Sequence, residues 1–318
     1  MAVTTAPVHP ASAFLRLNSR RRQADTTARV VFLAAALTTF IVTLLIIGTL
    51  AFDAWDFVSK LADAPDGLGA LTELGWFPRR GLFDIGTLLV GTLVVTLIAM
   101  CVAVPLGVGT AVYLSEYARP RLRRVIKPII EILAGIPSVV LGYFAIAFIN
   151  PNLVVKIFSG ADRAFTLLAA GLAVGILTVP IVASVTEDAL RAVPLALREA
   201  SYGLGAKRSQ TTFRVVFPAG VSGIIAALIL GISRAIGETM VVAIAAGAVG
   251  GALFHVTPLE PGQTMTAAMA ALGFGSDQVA GNNLAFQSLY FIGALLFVMT
   301  LGLNVIGDRL VHRLREVY

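Results

Sequence analysis

Glu187-Asp188-Ala189-Leu190-Arg191-Ala192-Val193-Pro194, then Leu195-Ala196-Leu197-Arg198-Glu199-Ala200-Ser201-Tyr202-Gly203-Leu204-Gly205-Ala206, and nine residues later Val215-Val216-Phe217-Pro218, make up the stretch that decides the fold. Pro194 suits the start of a short helix, because its missing N–H falls where no intrahelical acceptor exists. Gly203 and Gly205 suit its end, since glycine adopts positive φ without steric cost. Between these limits lie Leu195, Leu197, Tyr202 and Leu204, with the small Ala200 and Ser201 among them. A helix this short cannot bury its own apolar side chains, so the pattern points to docking in a groove on a partner. A turn of helix in an ordinary polar loop is the plainer alternative. In both readings the stretch is a polar interruption between two long apolar runs.

Composition sets the class of the surrounding chain. Of 318 residues, 57% are hydrophobic and 13% charged, and the mean hydropathy is +0.87. A soluble domain carries about 25% charged residues, so this is an all-α polytopic membrane protein. Six spans are expected near 28–52, 85–114, 125–149, 165–186, 213–248 and 284–308, each with about the 20 apolar residues a bilayer core requires. The second and fifth runs are longer than needed and are expected to tilt, bend or project; Pro105, Pro137 and Pro180 fall inside helical runs and are expected to kink or interrupt them. Residues 1–27 are expected to be a flexible cytoplasmic tail, and 28–318 one transmembrane domain containing the loop 187–218. The first apolar run is too long for the core of a cleaved signal peptide.

Lysine and arginine give the orientation. Eighteen lie in the N-terminal tail, in 115–127, in 187–214 and in the C-terminal tail, against five in the three other connections. Positive charge stays inside, so both termini and the loop 187–218 are expected in the cytoplasm. The net charge of +6 is then topological. The basic clusters flank spans and lack interleaved aromatics, which argues against nucleic acid as a partner. Outside, Trp55, Trp76 and Phe77 are expected as interfacial anchors. The lysine- and arginine-free loop 249–283 reads either as a solvated connector, with a short surface helix near 263–272, or as a docking rim.

Chemistry concentrates in the fifth apolar run, at Gly231-Ile232-Ser233-Arg234-Ala235-Ile236-Gly237-Glu238-Thr239-Met240. A charge at mid-span costs about 2.5 kcal/mol or more and normally faces a cavity or a partner. Arg234 and Glu238 are four apart and share one helix face. A straight helix puts Arg234 about 24 Å beyond Pro218. Arginine presents a planar fork of donors that fits an oxyanion such as phosphate. Glu238 lowers the cost of the empty arginine and keeps an anion from binding too tightly. An Arg–Glu pair that only holds helices together is the competing reading. Elsewhere, Lys127 and Glu131 are expected to pair, and Glu187 and Asp188 to support the loop that follows them. His255 and His312 have no companion ligands, and Cys101 is the only cysteine, so no metal site is expected. The chain has no G-x-x-x-x-G-K-[ST] phosphate loop, so it is not expected to hydrolyse ATP or to be an enzyme.

Glu199-Ala200-Ser201, three residues, Gly205, nine residues, Val215, one residue and Phe217-Pro218 resemble the EAA loop of ABC-importer permeases. Ser201 and Phe217 depart mildly from its usual form. The resemblance implies a coupling helix seated in a cleft of an ATPase, with Leu195, Leu197, Arg198, Glu199, Ala200, Ser201, Tyr202 and Gly205 as the contact set. Arg234-Ala235-Ile236-Gly237-Glu238-Thr239-Met240 looks like the signature of phosphate-importer permeases of the PstC type. Glu131 to Val140, Glu187 to Pro194 and Gln263-Thr264-Met265-Thr266 are similar to that family too. Met240-Val241 replaces the Ala-Pro usual in the sister PstA type. The resemblance covers about residues 85–310 and implies the type I ABC-importer permease fold in a bacterial inner or plasma membrane. It further implies a PstA-type permease partner, two ATP-binding subunits that hold the ATP and Mg, and an extracytoplasmic phosphate-binding protein. Arg234 and Glu238, flanked by Ser233 and Thr239, form the expected phosphate pathway. A permease for molybdate or sulfate is the alternative within this mechanism, and a gradient-driven secondary transporter the alternative outside it.

Overall fold

A computed structural model describes residues 11–64, 67–72, 75–158, 163–247, 251–274 and 284–314, without the side chains of 11–24, 68, 274 and 314. The chain divides into two compact units at Phe52/Asp53. Helix α1, Ala11–Ala62, begins well before the first expected span. The part of the N-terminal tail from Ala11 onward is therefore helical. Residues 1–10 lie outside the described residues. Val30 to Ile46 keep their large apolar side chains exposed, as a helix bathed in lipid does.

The second unit begins in the last turns of α1. Phe57 and Leu61 are buried against Trp76, Phe83 and Leu88. A two-stranded hairpin, β1 (Trp76–Phe77) and β2 (Leu82–Phe83), pairs antiparallel. It turns Trp76 inward, and Trp76 is 1% exposed with its backbone bridged to Ala252. Trp76 is thus a core residue rather than an interfacial anchor. Trp55 is exposed, as expected.

Helix α2, Ile85–Val112, passes through Pro105 and ends in a π-helical turn, Tyr113–Tyr117. Its packing partner is α6, Leu167–Ala192, which contains Pro180. The two approach closely because small residues lie between them: a Cβ at Gly175 would sit 2.9 Å from the Ala99 carbonyl oxygen. Close backbone approach of this kind holds helices together where lipid removes the hydrophobic drive.

The expected third span is two elements. Helix α3, Pro120–Ala134, is separate and buries no residue. The chain breaks at Gly135 to Pro137, and α4, Ser138–Phe144, starts anew with Pro137 as its N-cap. A π-helical segment, Ala145–Val154, and α5, Val155–Ile157, complete that span. Pro137 disfavours helical backbone in the residue before it, so of the two outcomes expected of it, a kink or an interruption, it gives the interruption.

Helix α7, Leu195–Gly203, follows α6. The fifth apolar run then appears in four pieces: α8 (Arg208–Thr211), a π-helical turn (Thr212–Val216), α9 (Phe217–Ala219) and α10 (Val221–Ile236). The chain bends by 69° at Gly220, where Pro218 and Gly220 weaken the helix. After Ile236 it breaks again, and α11, Met240–Ala245, is a short separate helix. The helix expected over 213–248 is thus bent, one of the outcomes its excess length suggested, and is also interrupted after Ile236.

Helix α12, Met265–Phe274, occupies the expected position of a surface helix but is largely buried. Met265 packs with Phe57 and Leu88, and its N–H donates to Thr92 Oγ1 at 3.1 Å. Its apolar methionines, leucine and alanines have no reason to stay in water. Residues 249–250 and 275–283 of the expected docking rim lie outside the described residues. Helix α13, Leu284–Leu314, closes the chain. Among the described residues five helices are long and apolar enough to cross a membrane, or six counting the bent pair Arg208–Ala219 and Val221–Ile236.

Candidate functional site

Helix α7 presents two different faces. Leu195 and Tyr202 are exposed on one side, and Leu204 just beyond the helix is 90% exposed. Glu199 and Ala200 are exposed as well. Leu197 packs instead on Ala111, Leu190, Val193 and Val216. Ser201 exchanges a hydroxyl hydrogen bond with Thr211 at 2.9 Å. Gly205 has φ +81, and its N–H donates to the Tyr202 carbonyl at 2.9 Å. The turn needs glycine for its left-handed backbone; no atom lies within 4 Å of where a Cβ would be.

Arg198 points inward. Its Nη1 donates to the Val193 carbonyl, and its Nη2 donates to the Leu190 carbonyl at 2.8 Å and to Glu116 Oε1 at 3.0 Å. Glu116 is buried in the π-helical turn after α2 and also accepts from Ser115 Oγ at 2.8 Å. Of the expected partner-contact set, Leu195, Glu199, Ala200, Tyr202 and Gly205 face outward, whereas Leu197, Arg198 and Ser201 contact their own chain. Glu116 was missed from sequence, although it is the one acid among five basic residues in 115–127. Beside it a cavity of about 490 Å³ is lined by Arg123, Arg191, Arg208 and Tyr202 among others.

Glu187, 1% exposed, gathers three cations. Arg123 Nε donates to its Oε1 at 2.7 Å, Lys127 Nζ lies 2.9 Å from Oε2, and Arg191 lies at 3.8 Å. Lys127 also reaches Asp188 at 3.0 Å. Burial opposes the Lys127 charge, but hydrogen bonds and charge from Glu187 and Asp188 outweigh it and raise its pKa. Lys127 therefore pairs with α6, not with Glu131, which is exposed. The expectation that Glu187 and Asp188 support the loop takes this form: they clamp α3 onto the end of α6, immediately before α7.

The second candidate site is the break after α10. Arg234 is in its last turn and Glu238 in the break itself. Their nearest charged atoms are 3.7 Å apart, with side chains 47% and 5% exposed respectively. Among the described residues the Arg234 guanidinium makes this ion pair and no hydrogen bond. Glu238 is held from two sides: its Oε1 lies 3.4 Å from the Val241 N–H, and its carbonyl accepts from Thr266 Oγ1 at 2.8 Å. Thr239 is half-buried in the same break, its hydroxyl 3.4 Å from the Gly237 carbonyl. Ser233 donates to Asn304 Oδ1 of α13 at 3.1 Å. Asn304 was also missed; a lone exposed amide in an apolar run was its signal. A fixed buried carboxylate beside a half-exposed arginine with unused donors is suited to receive a tetrahedral anion.

Comparison with known proteins adds the following. Residues 103–316 match the family described as "Binding-protein-dependent transport system inner membrane component". The "Phosphate transport system permease protein PstC" of Pasteurella multocida is 30% identical over 298 residues, 88% of this chain and 89% of that one. The "Phosphate transport system permease protein PstC 1" of Mycobacterium tuberculosis is 36% identical over 245 residues, 71% of each chain. Among solved structures, a chain of a bacterial ABC transporter that imports the acidic polysaccharide alginate superposes with a TM-score of 0.60 at 16% identity, covering 93% of this chain and 100% of that one. That likeness is one of fold: it is the type I ABC-importer permease fold expected from the sequence.

Proposed function

The chain belongs to the family of binding-protein-dependent transport system inner-membrane components, and from that premise we propose that it is the PstC-type half of an ATP-driven importer of inorganic phosphate. The phosphate permeases among its relatives support the substrate. The observation that carries the site is the half-exposed Arg234, without a hydrogen bond among the described residues, beside the buried Glu238. In this reading Arg234 offers its donors to phosphate, Glu238 limits the affinity so that the anion is released, and Ser233 and Thr239 line the same passage. The other wall is a PstA-type permease.

The outward face of α7, with Leu195, Tyr202 and Leu204, docks in the cleft of a cytoplasmic ATP-binding subunit. Two such subunits bind the ATP and Mg. Residues 1–27 and the C-terminus lie in the cytoplasm, and 28–318 form the membrane domain. ATP binding closes the ATPase pair and drags the coupling helices. The helix pairs of the two permeases then rock, and a loaded phosphate-binding protein delivers its anion to the opened cavity.

The test is ATPase stimulation in a complex of this chain with its sister permease, ATPase and binding protein in nanodiscs. Phosphate-loaded binding protein is expected to raise hydrolysis above the level with unloaded protein. An ATPase that fails to co-purify, or that ignores the loaded binding protein, contradicts the proposal.

A further inference from the structure

The coupling helix must do two things at once: hold an ATPase and move its own domain. Arg198 and Ser201, three apart, share the inward face. Ser201 ties α7 to α8 through Thr211. Arg198 reaches further. Its guanidinium satisfies the Leu190 and Val193 carbonyls, at the end of α6 where helical donors run out. The same group reaches Glu116 at 3.0 Å, at the end of α2. Both side chains are largely buried, at 12% and 5% exposure. One planar fork thus fastens α7 to the ends of the two helices that pack most extensively on each other. Helix α10, which carries Arg234, packs on both.

We propose that the Arg198–Glu116 pair is the strut that transmits movement of α7 into α2 and α6, making Arg198 and Glu116 positioning residues for coupling rather than contacts for the ATPase. This rests on the coupling role proposed for α7. An arginine suits a strut because its donors diverge in a rigid plane toward three acceptors. A lysine keeps the charge but presents a single pivoting nitrogen. Loss of the strut leaves Leu204, just beyond the helix and 90% exposed, free to dock. The ATPase still seats and still closes, but its stroke is absorbed in the loosened loop.

The experiment uses the full complex in proteoliposomes with Glu116→Gln, Arg198→Lys and Ser115→Ala, the last removing only the hydroxyl bond to Glu116. Two quantities are read in each. One is cross-linking of a Leu204→Cys probe to the ATPase in a Cys101→Ala background; the other, without the probe, is phosphate imported per ATP hydrolysed. The cross-link is expected to persist. The transport ratio is expected to fall by about fivefold or more in Glu116→Gln and Arg198→Lys, the low end of typical coupling between sites, and by less in Ser115→Ala. The double variant Glu116→Gln/Arg198→Lys is expected to be no worse than the more affected single, because both remove one strut. A merely structural pair lowers the yield or thermal stability of the complex and leaves the ratio unchanged. A ratio near wild type in any assembled Glu116 or Arg198 variant overturns the proposal. If neither assembles, Glu116→Asp, which keeps the charge but shortens the reach to Arg198, is read in their place, and normal docking with an unchanged ratio in it overturns the proposal too. A wild-type complex without the cross-link removes the coupling role of α7 itself, and the strut with it.

Discussion

Arg234 and Glu238 differ most in exposure, and that difference orders their mutants. Arg234 projects from the end of α10 and uses few of its donors, whereas Glu238 is enclosed and bonded. A hydrogen bond to a charged group contributes about 1.5–3 kcal/mol. Losing one such bond in the transport step slows uptake by about tenfold or more. Arg234→Gln is therefore expected to reduce phosphate uptake by at least that factor, and Arg234→Lys by less, with assembly retained. Uptake by assembled Arg234→Gln at the wild-type rate contradicts anion contact. The double variant Arg234→Gln/Glu238→Gln separates structure from function. If the pair only holds the fold, removing both charges removes the burial penalty and restores uptake. If Arg234 binds the anion, the complex assembles and uptake stays low. The residue types and their spacing of four made this pair legible in sequence. Its position at a helix break was not legible, because Gly237 is tolerated inside helices as well as at their ends.

At the scale of the element, α7 came out of the sequence with its limits nearly right, since Pro194 and Gly205 mark them chemically. Which of its residues face outward did not, because Arg198 looks like a surface residue until Glu116, 82 positions earlier, is brought beside it. Leu204→Asp is expected to abolish ATPase docking and leave the permease folded, as its side chain is almost wholly exposed. Loss of the permease dimer rather than of the ATPase in co-purification contradicts this. Substitution at Gly205 is a poorer probe, since its positive φ strains any side chain placed there. The clamp between α3 and α6 makes a stability prediction. Glu187→Gln strands cations that are themselves partly buried, and removing one partner of a buried pair costs about 3–5 kcal/mol. Asp188→Asn removes an exposed contact worth about 1 kcal/mol or less. The thermal midpoint of the purified complex is expected to drop clearly for the first and barely for the second; equal effects contradict the clamp. The split of the third run into α3 and α4 was hidden because apolar content continues through Ile136-Pro137, and hydropathy does not register backbone direction.

For the whole molecule, hydropathy and the imbalance of lysine and arginine located the apolar runs and suggested an orientation, though the third span runs over Ser138–Ile157 rather than 125–149. They could not reveal that α12 folds back into the domain, which depends on Thr92, Phe57 and Leu88 meeting it from distant sequence. The orientation makes a direct prediction with single cysteines in the Cys101→Ala background. Lys207→Cys and Arg313→Cys are expected to resist an impermeant thiol reagent added outside intact cells, and Arg80→Cys and Val256→Cys to react. Reversal at both positions of either side contradicts the inside placement of α7. Selective ATP-driven phosphate import remains the central claim. Uptake into proteoliposomes holding the complete complex, with ATP enclosed at the ATPase side and loaded binding protein outside, tests it most directly. The account predicts phosphate accumulation that requires both ATP and the binding protein and persists in excess sulfate or molybdate. Accumulation that runs on an ion gradient without ATP, or transport of molybdate or sulfate in place of phosphate, would contradict it.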